Sequence, residues 1–82
     1  MKAPRITLYS APGCPHCRQA RDYLQLKGLR FVELDVQRNP RGRKEFARLG
    51  ARGVPVLLIG GVRVDGFDRR RIDAALGAQA DT

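Results

Sequence analysis

Tryptophan is absent from this chain, methionine and histidine occur once each, and cysteine only twice. Two cysteines and one histidine, with His16 between the cysteines at a helix start, argue against a four-ligand zinc site within one chain; a site shared between two chains stays open. Long hydrophobic runs are also missing. None approaches the ~20 residues that span a bilayer, and Met1-Lys2-Ala3-Pro4 leads into a strand without the apolar stretch of a secretory signal. The expected location is therefore the cytoplasm, where a cysteine pair is more often reactive or metal-binding than structural.

Acidic residues are scarce, eight against sixteen basic ones, and the net charge is +8. The densest basic region holds Arg38, Arg41, Arg43, Lys44, Arg48 and Arg52 against Glu45 alone. Neither the aromatic-rich basic strand of RNA-binding sheets nor zinc-finger spacing is present, so no nucleic-acid partner is expected. The excess reads as a solvated face that can guide acidic partners. At 82 residues the chain is expected to form one domain, residues 1–82, burying roughly 60% of its unfolded surface.

What is present is concentrated in Ser10-Ala11-Pro12-Gly13-Cys14-Pro15-His16-Cys17. The run follows an apolar strand, Ile6-Thr7-Leu8-Tyr9, and opens a helical pattern from Pro15 to about Lys27. Pro15 suits the first helical position, where its missing N–H has no intrahelical partner. Cys14 thus sits at the helix N-terminus, whose unpaired N–H groups and positive dipole end favour a thiolate. Cys17, three residues on, shares that face and can close a small disulfide with Cys14. Such a short ring constrains the unfolded chain little, so the pair reads as a reversible dithiol rather than a staple. His16 either adds a second positive influence on Cys14 or is an exposed residue of the first turn.

Along the chain, Ala20, Tyr23, Leu24, Leu26 and Leu29 supply the apolar stripe of the first helix, which Gly28 ends. Phe31–Val36 is a second strand, completing a βαβ unit with parallel strands. Asn39-Pro40 starts a second, basic helix to about Leu49, closed by Gly50. Val54–Ile59 is the most apolar run and belongs in the middle of the sheet. Gly60-Gly61 turns it into Val62-Arg63-Val64, and the pair ends at Asp65-Gly66. Asp68 caps a last helix from Arg69 to about Leu76, leaving residues 77–82 as a loose tail. Pro55 is expected at the strand's start, where it removes no ladder bond, and such a proline is a candidate for a cis bond.

The cysteine–proline–x–cysteine motif after the first strand, Gly53-Val54-Pro55 before a hairpin, the Gly60-Gly61 turn and Gly66-Phe67-Asp68 before the last helix resemble the glutaredoxins, over roughly Ile6 to Leu76. It is the small bacterial glutaredoxin-like proteins that the chain most resembles. The resemblance implies an α/β thioredoxin fold, a four-stranded mixed sheet with three helices in the order βαβαββα, with Pro55 cis and facing the cysteines. It implies a thiol–disulfide oxidoreductase with Cys14 as nucleophile and Cys17 as resolving thiol, supported by Pro15, His16 and Pro55.

Arg52, Val54, Gly66 and Asp68 match positions that meet glutathione, which would be a co-substrate; no bound cofactor and no metal are implied. Ala11, Gly53, Asp65 and Arg69 depart from the family's glutathione pattern. The expected partners are disulfide-containing proteins or glutathione and a reductase of the glutathione- or thioredoxin-reductase type, with the protein itself a monomer. A metal or iron–sulfur carrier bridging two chains and a non-enzymatic binding adaptor are the alternative readings, and the rigid Pro15 ring argues against the carrier.

Overall fold

A computed structural model of the chain describes residues 4–80. The elements are β1 (Ile6–Ser10), α1 (Pro15–Leu26), β2 (Val32–Asp35), α2 (Pro40–Leu49), β3 (Val56–Ile59), β4 (Val62–Asp65) and α3 (Arg69–Ala80). The sheet runs β2-β1-β3-β4, with β1 parallel to β2 and the other neighbours antiparallel. This is the thioredoxin fold, and β3, the most apolar strand, is interior as expected.

Alternation along the strands divides the core between the two faces of the sheet. Ile6 and Leu8 of β1, with Leu57 and Ile59 of β3, point toward α1 and α3, where Ala20, Leu24, Ile72 and Ala75 cover them. Tyr9, Leu34 and Val56 pack on the other side with Phe46 and Leu49 of α2. Leu8 lies opposite Leu57 and Ile6 opposite Ile59, so β1 and β3 share one apolar row. One face therefore carries the helix that bears the cysteines, and the other carries the basic α2.

Each helix end has a local cause. Pro15 occupies the start of α1. At its C-terminus Gly28 adopts φ 71°, and the N–H groups of Gly28 and Leu29 donate to Gln25 and Leu24, closing the helix with a left-handed cap. Asn39 accepts the Gly42 N–H to start α2, and Asp68 accepts the Arg71 N–H to start α3.

Four expectations are corrected. Leu26 is 84% exposed, since it lies about 200° around the helix from Leu24, whereas Cys17, Ala20 and Leu24 share the buried stripe. The second strand is shorter than Phe31–Val36, because Val36 already belongs to the turn into α2. The third begins at Val56, leaving Val54 and Pro55 outside the ladder. The last helix continues past Leu76 to Ala80: the alanine-rich segment holds the helix through Gly77, so 77–80 is not a loose tail. Asp81 and Thr82 lie outside the described residues. Among the described residues no helix is long and apolar enough to cross a membrane.

Candidate active site

The loop Ala11–Cys14 leaves the C-terminal end of β1 and delivers Cys14 to the N-cap of α1. Gly13, at φ 71°, makes the turn that Pro12 and Cys14 could not. The Cys14 side chain is itself the cap: its sulfur accepts the Cys17 N–H at 3.2 Å. That sulfur lies 3.9 Å from the Val54 carbonyl oxygen, forty residues away. Cys14 is half-buried, and Cys17 is 1% exposed beneath it. Both are free thiols.

Burial, then contact with Cys14, pushes the Cys17 thiol up to about 12, against a smaller opposing effect from the Ala11 backbone. The pair is thus asymmetric, with one accessible sulfur at a helix N-terminus and one sealed, protonated sulfur a turn behind it.

The Val54–Pro55 peptide bond is cis, and Pro55 is buried. Arg52, Gly53, Val54 and Pro55 form one wall of a cleft of about 490 Å³, with Arg63, Asp65 and Gly66 on the other. Three of the four residues matched to glutathione contacts, Arg52, Val54 and Gly66, therefore meet. Gly66 and the fourth, Asp68, are engaged within the chain. Gly66 donates its N–H to the Pro55 carbonyl at 2.8 Å, and the Asp68 carboxylate caps α3. Pro15 is exposed at the helix start. His16 is exposed, and its Nδ1 donates to Gln19 Oε1 at 2.9 Å, along the helix.

Several polar contacts around the site escaped sequence reasoning. Ser10 is buried and donates its hydroxyl to Glu33 at 2.8 Å, while Arg21 donates to both Glu33 oxygens at 2.7 and 2.6 Å. Arg21 and Ser10 hold the Glu33 carboxyl below the ordinary carboxylate value. The signal was a lone glutamate inside a strand, but its partners come from two other elements. Arg63 grips Asp65 and also donates to the Leu49 carbonyl at 2.6 Å, tying the cleft's floor to the end of α2.

A family model, Glutaredoxin, matches residues 6–64. The chain belongs to the glutaredoxin family. It is 38% identical to a glutaredoxin-like 8.6 kDa protein encoded in a rubredoxin operon of Clostridium pasteurianum, over 83% of this chain and 92% of that one. It is also 38% identical to a glutaredoxin of Pseudomonas aeruginosa, over 79% of each chain. Its fold resembles the solved Escherichia coli NrdH-redoxin, a glutaredoxin-like protein described as having a thioredoxin-like activity profile. The TM-score is 0.76 at 27% identity, over 85% of this chain and 92% of that one. As a member of the glutaredoxin family this protein is a thiol–disulfide oxidoreductase.

Proposed function

We propose that the protein reduces protein or glutathione mixed disulfides by a two-thiol cycle, in which Cys14 attacks and Cys17 resolves. The observation that carries this reading is the asymmetry of the pair: Cys14 sulfur half-buried at the α1 N-cap, Cys17 buried and protonated behind it.

In the first step the Cys14 thiolate attacks one sulfur of the substrate disulfide. The Cys14–substrate bond forms as the substrate S–S bond breaks, and the second substrate sulfur leaves as a thiolate. The N–H of Cys17 that now points at the sulfur steadies its negative charge before attack. Cys17 then loses its proton and attacks the Cys14 sulfur. The remaining substrate sulfur leaves, and the enzyme holds a Cys14–Cys17 disulfide. Two electrons have passed to the substrate. The high proton affinity of Cys17 keeps it a thiol in the reduced protein, so the first attack falls to Cys14.

The cleft beside Val54 is the place for the substrate half that stays attached. Val54 lies outside the ladder, with its carbonyl facing the Cys14 sulfur, which suits an extended peptide or glutathione laid along it. Arg52 would meet a carboxylate there, with Gly66 and Asp68 at the far end. Pro15, His16 and Pro55 shape the reactive end.

The reductant has two readings. Glutathione would use those four contacts. A thioredoxin-reductase-type flavoprotein is favoured by the engagement of Gly66 with Pro55 and of Asp68 with the α3 cap, which leaves glutathione fewer free groups. The test is turnover of a small neutral disulfide with NADPH and either glutathione plus glutathione reductase or thioredoxin reductase alone. Turnover in one system assigns the reductant. Turnover in neither contradicts the disulfide-reductase cycle.

A further inference from the structure

A second cleft, of about 500 Å³, is lined by Cys14 itself. It is walled by Ala11–Pro15 on one side and by Arg18, Gln19 and Arg21 of α1 on the other. Its three long polar side chains differ in what they are free to do. Arg21 is committed to Glu33, and Gln19 accepts from His16. Arg18 is exposed, and among the described residues it enters no ion pair or side-chain hydrogen bond, not even with Asp22 four residues on. It stands one turn after the nucleophile, on the same side of α1.

Asp22, four residues after Arg18, enters no ion pair among the described residues and lies outside the lining of the cleft. The one acid lining either cleft is Asp65, held by Arg63 at 2.6 and 2.9 Å. A substrate crossing Cys14 from the Val54 side therefore meets an uncommitted guanidinium in a cleft whose lining holds no carboxylate.

Resting on the dithiol reading above, we propose that the Arg18 cleft is a specificity subsite for a carboxylate next to the disulfide of a protein substrate. The preferred substrates are cysteines flanked by Asp or Glu. A planar guanidinium pairs a carboxylate through two parallel hydrogen bonds, which fixes the segment's direction across Cys14. The chain's charge of +8 draws such segments in from a distance, and Arg18 reads them on arrival.

The probe is a pair of cysteinyl peptides, one flanked by aspartates and one by lysines, each in a disulfide with neutral 2-thiopyridine. Attack by Cys14 on the peptide sulfur forms the mixed disulfide and releases pyridine-2-thione, whose absorbance gives the rate. The wild-type protein should favour the acidic peptide by about tenfold or more at low ionic strength. Because the readout is a ratio of two rates on one enzyme, a change in the nucleophile itself cancels. Arg18→Gln should lower the ratio about fivefold. Arg48→Gln, which removes the same charge from α2, should leave it within about twofold. An unchanged ratio in Arg18→Gln, or an equal fall in Arg48→Gln, overturns the subsite while leaving the dithiol reading intact. Release from neither peptide by the wild-type protein overturns both.

Discussion

The sulfur of Cys14 receives the backbone N–H of Cys17 at 3.2 Å, so the proposed nucleophile is also the cap of the helix it opens. Structure and chemistry can be separated at this one position. Cys14→Ser keeps an oxygen acceptor at the cap and should retain wild-type stability while losing turnover. Cys14→Ala removes the acceptor and should cost about 1 kcal/mol, a fall in Tm of about 4–8 °C. Thermal melts of the two reduced variants check both.

Alkaline pH should unfold the reduced protein earlier than its charge alone requires. Burial pushes the Cys17 thiol from 9.0 to about 12, and burial with the Glu45 hydrogen bond takes the Tyr9 phenol from 10.0 to about 12. The unfolded chain releases these protons first. It then binds fewer protons than the folded state, and stability falls with rising pH. The contribution is fully present below about pH 9 and is lost progressively toward pH 12. Urea titrations across that window should show the decline in the wild-type protein and a flatter one in both Cys17→Ala and Tyr9→Phe.

At the acid end the relevant group is Glu33, held below the ordinary carboxylate value of 4.5 chiefly by Arg21 and also by Ser10. Its stabilisation is present above that value and disappears as pH falls through the lower folded value. The side chains of Arg21 and Glu33 are 36% and 26% exposed, so solvent screens the pair. Glu33→Gln should cost about 1 kcal/mol at neutral pH and flatten the acid limb of the stability curve. The measurement is denaturant unfolding against pH in both proteins.

Two glycines lie inside helices, and the same substitution should act on them in opposite directions. A Cβ at Gly42 would meet the Asp35 carbonyl oxygen and the Leu34 Cβ, each at 3.0 Å, so α2 approaches β2 more closely than alanine allows. Gly42→Ala should lose about 1 kcal/mol, because crowding outweighs the gain in helix propensity. At Gly77 nothing lies within 4 Å, and Gly77→Ala should gain about 0.5–1 kcal/mol. Equilibrium unfolding of both variants tests the pair.

Much of the site was legible because its signals are local. Cys14, Pro15 and Cys17 carry their own helix start, and the apolar content of Val56–Ile59 places β3 inside the sheet. The misread details depend on angles and on partners from elsewhere. Leu26 matches the hydrophobic composition of its helix, yet points away from the stripe defined by Cys17, Ala20 and Leu24. Glu33 is paired opposite Leu8 by the register of β1 and β2. That places it beneath α1, within reach of Arg21 and Ser10, a convergence no spacing within one element could reveal. Gly77 looks like a helix stop, but alanines on both sides carry the helix through it.

Incubating Cys17→Ser with a cysteinyl peptide disulfide and reading the intact mass tests the division of labour between the sulfurs most directly. With Cys14 attacking and Cys17 resolving, the variant should accumulate a stable adduct of one peptide thiol, mapped by digestion to Cys14, while the wild-type protein ends with a Cys14–Cys17 disulfide and no adduct. Failure of the variant to form that adduct, or an equally persistent adduct in the wild-type protein, would contradict it.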